Sequence, residues 1–316
     1  MKVSVLVPVY NLHEYIEACL ISLLTQDIKD EFEVIVCDDG SNDGTKHILR
    51  SMENRFDSLV CVYKKENQGL AKNMQTLINL ARGDYIAYMD GDDLALPKKL
   101  KIQAEYLDEN ADCDMVFHES QVFNSATNEN IKLFSESYYN WHHIPIRSGI
   151  SDLIRYGTYM HSGSVMFRNH SHLSETILSE CQLVCDYPFY LMNAGYLSAN
   201  IDFLPIVLGK YRLHADSFSF RTGSDTKRRI QSANEMIAAV RACSRFGVSE
   251  RVIEQGVKQH QFAAALHFLR NNETQLFTEY INLSVDTPGF FNAKHELSWS
   301  FRQDPGKLKI LLFEDQ

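Results

Sequence analysis

The chain has 316 residues, 45% of them hydrophobic and 23% charged, with a formal net charge of −10. That length suits one large α/β domain plus an appendage, or two domains. The acidic balance argues against a nucleic-acid binder, because no basic field draws phosphates in at long range, so an anionic substrate needs local cations or a metal.

Seven cysteines form no CxxC pair, and several fall inside apolar runs, which points to buried free thiols in a reducing cytosol. The apolar stretch at residues 3–9 is too short for a signal peptide, and no apolar run approaches membrane-spanning length. The expectation is a cytoplasmic protein, compatible with peripheral association at the inner face of the cytoplasmic membrane.

The β-branched run at residues 3–9 (VSVLVPV) predicts a first, central strand. Apolar residues from Leu12 to Leu24 recur at helical spacing, so a helix follows. A second strand at 32–37 ends in Asp38-Asp39-Gly40-Ser41, and a helix through Ile48, Leu49 and Met52 leads to a strand near 58–63. Residues 67–73 open a further helix running to Ala81. The next strand, 84–89, ends in Asp90, Asp92 and Asp93; a helix with Pro97 near its first turn and a strand at 113–117 follow. Strands alternating with helices predict a parallel sheet covered on both faces.

After residue 118 the alternation stops, and 119–147 reads as an irregular polar insertion with aromatic residues Tyr138, Tyr139 and Trp141. A short helix near 150–156, an apolar run at 164–167, a helix at 186–195 and strand character at 201–213 come next. Residues 225–283 are helical in pattern, and a boundary near 220 divides the chain.

Three carboxylates within four positions repel one another unless a cation or a donor-rich ligand is present. In an open α/β sheet, ligands bind outside the carboxyl ends of the strands, where Asp38-Asp39 and Asp90/Asp92/Asp93 both stand. A hard divalent ion shared with substrate phosphates answers the repulsion; the alternative is a solvated acidic turn capping the helix that Pro97 opens. No Gly-x-Gly-x-x-Gly fingerprint and no Walker A sequence is present, so no glycine-rich loop holds the phosphates.

VSVLVPVYN, VIVCDDGSNDGT, ENQGLAKN, GDYIAYMDGDDL, Cys185-Asp186-Tyr187-Pro188 and Tyr211-Arg212-Leu213-His214 resemble, in the same order, the motifs of family 2 glycosyltransferases. The resemblance covers residues 1–118 and about 157–220. It implies a GT-A fold: a Rossmann-like, mostly parallel sheet flanked by helices, here with a C-terminal helical appendage. Residues 1–220 would then be the catalytic domain and 221–316 a mainly helical region serving folding or homo-oligomerisation.

The resemblance also implies inverting transfer from a nucleotide-sugar donor, with UDP the default, to a hydroxyl of a glycan or lipid-linked acceptor in bacterial cell-surface polysaccharide synthesis. It assigns the nucleotide to Pro8, Val9, Tyr10, Asp39, Asn67, Gly69, Lys72, Asp90 and Gly91, with Tyr10 against the base, Asp39 on the uracil N3–H and Asp90 on the ribose. Lys72 stands where the family often has Arg. Asp92 and His214 would hold Mg²⁺ or Mn²⁺. Asp93 is divided between sugar hydroxyls and a structural role, and Asp38 is an inward-pointing carboxylate that orders its loop. Asp186 would be the catalytic base, kept ionised at a helix start, with Cys185 in place of a preceding acid. His161-Ser162-Gly163-Ser164 would face the acceptor, and residues 138–143 either stack on sugars or pack the insertion against the sheet. Two alternatives remain: a sugar-nucleotide binding module without catalysis, and a haloacid-dehalogenase-type phosphohydrolase, whose nucleophile motif Asp90-Gly91-Asp92 superficially matches.

Overall fold

The computed structural model describes residues 2–137, 141–285 and 289–314. The first half runs β1 (Val3–Val9), α1 (Ile16–Leu24), β2 (Phe32–Asp38), α2 (Thr45–Glu53), β3 (Leu59–Tyr63), α3 (Leu70–Leu80), β4 (Tyr85–Tyr88), β5 (Leu94–Ala95), α4 (Lys99–Glu109) and β6 (Met115–Asn124). There follow β7 (Asn130–Leu133), β8 (Arg147–Ser148), α5 (Ile150–Tyr156), β9 (Val165–Arg168), α6 (Asp186–Leu197) and β10 (Ile201–Leu213). The helical remainder is α7 (Phe218–Ser224), α8 (Thr226–Ala242), α9 (Glu250–Arg270), α10 (Thr274–Ser284), α11 (Ala293–Ser300) and α12 (Pro305–Lys309).

Every residue of β1 is buried. Successive strand side chains point to opposite faces. Val3, Val5, Val7 and Val9 therefore join a core with α1 and α4, while Leu6 joins the core beneath α3 and α6. The strand order is β3-β2-β1-β4-β9-β6-β10-β5, with β7 on β6 and β8 on β10. β1 pairs in parallel with β2 and β4, and β10 in parallel with β6.

Two expectations need correction. The sheet is mixed rather than parallel, because β9 runs antiparallel between β4 and β6. The strand–helix alternation that signals parallel crossovers ends at α4. β9 instead starts at the carboxyl end of β4, straight from the turn at Ser162–Ser164. Nor is the region after 118 wholly irregular: β6 continues to Asn124 and folds back as a hairpin with β7. Its polar residues His118, Glu119 and Ser120 are buried in the sheet, so their chemistry masks a strand. Trp141 packs on Phe117 and Phe203, at ring separations of 6.4 and 4.9 Å, and thus holds the insertion to the sheet. Tyr138 and Tyr139 lie outside the described residues.

The C-terminal helices share the main core. Ala239, Val240 and Cys243 pack in the same cluster as Cys185, Tyr187 and Phe189 of the α6 region. At Gly195 on α6, an added Cβ would lie 2.2 Å from the Phe246 ring, so the close approach requires glycine. A second cluster, around Phe262, Phe268 and Phe277, belongs to the helices alone. All seven cysteines are free thiols. Among the described residues, no helix is long and apolar enough to cross a membrane.

Candidate active site

The carboxyl ends of β1 and β2 carry the first group. Asp38 is fully buried and accepts from the Ser41 N–H at 3.2 Å, ordering its loop. Asp39 is also buried, and its carboxylate accepts from the Gln68 and Gly69 N–H groups at 3.1 and 2.8 Å, with Lys64 Nζ at 3.2 Å. These bonds hold the turn ahead of α3. Gly40 must be glycine: its φ is +77°, and a Cβ would lie 2.7 Å from the Glu66 carbonyl carbon. Asn67 is exposed and accepts from the Gly69 N–H at 3.0 Å, while Lys72 is exposed on the first turn of α3.

Pro8 and Val9 are buried in β1, with the Val9 side chain in the core and its carbonyl taken by the Asp39 N–H at 2.8 Å. Tyr10, 38% exposed, is the residue of that stretch that faces outward.

The acidic turn after β4 forms the second group. Asp90 accepts from Tyr88 Oη at 2.6 Å on one oxygen and from Ser162 Oγ at 2.5 Å on the other. Burial, together with the Asp93 and Asp92 charges, pushes its carboxyl up to about 7. Asp90 is thus tied on both oxygens before any ribose arrives. Gly91 packs under this turn, where a Cβ would come within 2.9 Å of the Leu12 side chain.

Asp93, 1% exposed, accepts from the Arg212 N–H at 2.8 Å and faces His161 Nε2 at 2.9 Å. Burial and the Asp92 charge raise its carboxyl well above the usual range, whereas burial lowers His161 to about 4. His161 is therefore neutral at physiological pH, its other ring nitrogen 2.9 Å from Ser120 Oγ. That geometry ties Asp93 to β10 and to the 161–164 turn.

Asp92 points the other way. Its Oδ2 lies 3.0 Å from His214 Nε2, and its backbone carbonyl accepts from Arg212 Nε at 2.6 Å. The Arg212 guanidinium sits over the Phe123 and Tyr15 rings, and the Tyr15 ring lies 4.4 Å from the His214 ring.

Asp186 is the first residue of α6, partly exposed. A helix start was expected to keep it ionised. The N–H groups of Tyr187 and of its own backbone act in that sense, while burial, the larger influence, raises its carboxyl. Its charge is felt at Tyr88, Tyr190 and His161. Tyr190 Oη donates to the Ser162 carbonyl at 2.7 Å, closing the link between α6 and the 161–164 turn.

Sequence reasoning left Tyr88, Tyr190, Ser162 and His161 without roles on the acidic turn. The HSGS stretch was visible as a motif, but not that antiparallel β9 delivers it onto Asp90 and Asp93. A groove of about 720 Å³ lies at the opposite, amino-terminal end of β4, lined by Lys2, Arg82, Tyr85 and Arg168. Its Lys2 and Arg82 are paired with Asp108 and Glu33.

The sequence profile described as glycosyl transferase family 2 matches residues 4–176, more than half of the chain. The chain belongs to glycosyltransferase family 2. With that family, the phosphohydrolase alternative falls, and Asp90-Gly91-Asp92 is the acidic turn of a glycosyltransferase fold.

The uncharacterised glycosyltransferase MJ1057 of Methanocaldococcus jannaschii is 33% identical over 144 residues, 45% of this chain and 49% of that protein. Poly(ribitol-phosphate) beta-N-acetylglucosaminyltransferase TarS of Staphylococcus aureus is 37% identical over 111 residues, 35% of this chain and 19% of that one. The matches thus span about half or less of these curated relatives. Among solved structures, S. aureus TarS 1-349 with UDP-GlcNAc superposes with a TM-score of 0.69 at 20% identity, covering 96% of this chain and 88% of that one. The Pyrobaculum calidifontis mannosyltransferase PcManGT, with GDP-Man and Mn²⁺, superposes at 0.60 and 17% identity, covering 100% and 88%. These likenesses show the GT-A fold.

Carboxylate and imidazole groups of the kind that hold a divalent ion stand together at this end of the sheet. Two ligands at right angles on an octahedral ion, each about 2.1 Å from it, stand about 3.0 Å apart. Asp92 Oδ2 and His214 Nε2 are separated by 3.0 Å. Asp90, Asp93 and His161 also bring ligand atoms within 4.8 Å of one another; each set holds a carboxylate–imidazole pair, Asp93 with His161 at 2.9 Å and Asp92 with His214 at 3.0 Å.

Proposed function

We propose that this glycosyltransferase moves a sugar, with inversion, from a nucleoside-diphosphate sugar, UDP-linked, to a hydroxyl of a glycan or lipid-linked acceptor. The supporting observation is the cluster at the carboxyl end of one sheet: Asp39 beside the 67–69 turn, Asp92 against His214, and Asp186 within electrostatic reach of Tyr88, Tyr190 and His161. Residues 1–220 carry this catalysis, and 221–316 form the helical region. TarS is a relative named for transfer to poly(ribitol phosphate), which supports a place in bacterial cell-surface polysaccharide synthesis, in the cytoplasm at the inner face of the membrane.

Asp39, Tyr10, Asn67 and Lys72 border the nucleotide. Asp92 and His214 would hold Mg²⁺ or Mn²⁺, which when bound supplies positive charge to the diphosphate leaving group. Asp186 takes the proton of the acceptor hydroxyl as its oxygen bonds the anomeric carbon and the bond to the diphosphate oxygen breaks. A carboxyl raised by burial is a stronger base than an ordinary aspartate, and that suits the step. The Tyr88–Asp90–Ser162–Tyr190 chain keeps the floor of the site rigid, so little reorganisation accompanies reaction.

The test is a thermal-shift comparison of UDP-, dTDP- and GDP-sugars with and without Mn²⁺. A true donor at a hundredfold its Kd stabilises by about 2.7 kcal/mol. No shift with any nucleotide sugar refutes the reading.

A further inference from the structure

We propose that Glu235, on α8 of the C-terminal helical region, is a positioning residue for Asp186; this rests on the reading of Asp186 as the base. Glu235 is 6% exposed. One of its carboxylate oxygens accepts from the Leu183 and Val184 N–H groups at 2.8 and 2.7 Å, and the other from Gln231 Nε2 at 2.8 Å. Leu183 and Val184 stand three and two residues ahead of Asp186.

A buried carboxylate is costly unless its lone pairs are met, and N–H bonds to an ionised acceptor are the strong kind. Here the charge is directed at the segment that enters α6, and no cation among the described residues pairs with it. The segment needs outside support. Helices are usually opened by Ser, Thr, Asp or Asn, whose side chain takes a free N–H. The residue before Asp186 is Cys185, and its thiol makes no such bond. Leu183 and Val184 precede that helix start, so Glu235 holds the approach to α6 from a neighbouring helix. A second tie, from Cys181 Sγ to the Glu235 carbonyl at 3.5 Å, fixes the same segment to the same residue. Behind both, Ala239 and Val240 of α8 pack in one cluster with Cys185, Tyr187 and Phe189. The helical region is thus built into the catalytic site.

The experiment compares the parent with Glu235→Leu, Glu235→Gln, Asp186→Asn and the double variant Asp186→Asn/Glu235→Leu. The readouts are UDP release from UDP-N-acetylglucosamine with Mn²⁺, donor KM, and amide exchange of residues 183–185. Glu235→Leu should lower kcat about ten- to hundredfold, the effect of a catalytic group displaced by about 1 Å. Donor KM should hold, and exchange at Leu183 and Val184 should accelerate. Glu235→Gln, which keeps an acceptor oxygen without the charge, should fall between, and it carries the test if Glu235→Leu does not fold. In the Asp186→Asn background, Glu235→Leu should add no further loss.

A parent-like kcat in both Glu235 variants overturns the proposal, as does an equal loss in the presence and absence of Asp186. If Asp186→Asn itself keeps full activity, the base assignment has failed. If the parent releases no UDP, the donor reading has failed. In either case the exchange rates decide the positioning: unchanged protection at Leu183 and Val184 in Glu235→Leu overturns it.

Discussion

Removing Asp39 should weaken the fold as well as nucleotide binding, and the size of the effect can be worked from its contacts. Asp39→Ala deletes the acceptor of the Gln68 and Gly69 N–H groups and leaves Lys64 without its carboxylate. The two charged side chains are 3% and 11% exposed, so little solvent screens the pair. Stripping one partner from a buried ion pair costs about 3–5 kcal/mol. An unfolding entropy of about 2.1 cal/mol/K per residue, over 316 residues, is about 0.66 kcal/mol/K, so Tm should drop by about 5–8 °C. Asp39→Asn keeps one acceptor oxygen for Gly69 and should cost only about 1–2 kcal/mol. The assay is thermal unfolding of both variants, followed by titration of UDP and of pyrophosphate with Mn²⁺ into whichever stays folded. UDP affinity should weaken by about 1–3 kcal/mol, with pyrophosphate unaffected. An Asp39→Ala protein melting with the parent and binding UDP equally well would refute the reasoning on both counts.

Asp92→Ala should abolish the Mn²⁺ dependence of UDP binding, and His214→Ala should weaken it less; calorimetry with and without Mn²⁺ checks both, and unchanged dependence in Asp92→Ala would remove the metal assignment. Lys99, fully buried, donates from Nζ to Gln103 Oε1 at 2.8 Å, and burial lowers its ammonium to about 7. Because the folded form holds that proton less tightly than the unfolded chain, stability should rise with pH between about 7 and 10.5. Lys99→Met should flatten that slope and stabilise the protein at pH 7 by about 1 kcal/mol or more, as apolar replacement of a buried charge often does; urea unfolding at pH 7 and 9 measures both, and parallel slopes would contradict it.

How much of this was legible beforehand depended on whether a residue acts through its local pattern or through a distant partner. β1, β2 and β4 are short apolar runs, the latter two ending in Asp clusters, and both the runs and their ends were readable because burial and strand polarity are local properties. The six motifs in order carried the fold. Asp186 was readable as a candidate base, but not its raised carboxyl, which depends on burial contributed by other elements. The hold of Ser162 on Asp90 and of His161 on Asp93 was illegible because it needs β9 to run antiparallel, and a four-residue strand carries no mark of its direction. The alternation along β1 that sends the Val9 side chain into the core was readable from the β-branched run. Glu235 had no motif at all: a Glu on an amphipathic helix looks solvated until the helix is seen against residues 183 and 184.

The central claim is that Asp186 removes the acceptor proton, and Asp186→Asn tests it with the smallest change in shape. The amide keeps the size and hydrogen-bonding reach but cannot take a proton. The measurement is kcat at saturating donor, across pH, for the parent and this one variant, with Tm and UDP–Mn²⁺ affinity recorded alongside. The account predicts a fall in kcat of about 10²–10⁴-fold with affinity and Tm held. It also predicts, for the parent, an acid limb above the usual aspartate range, since activity is lost as pH falls through a carboxyl that burial has raised. A variant within a few-fold of the parent at every pH would contradict the claim, leaving Asp186 as a helix-start residue that Asn replaces without loss.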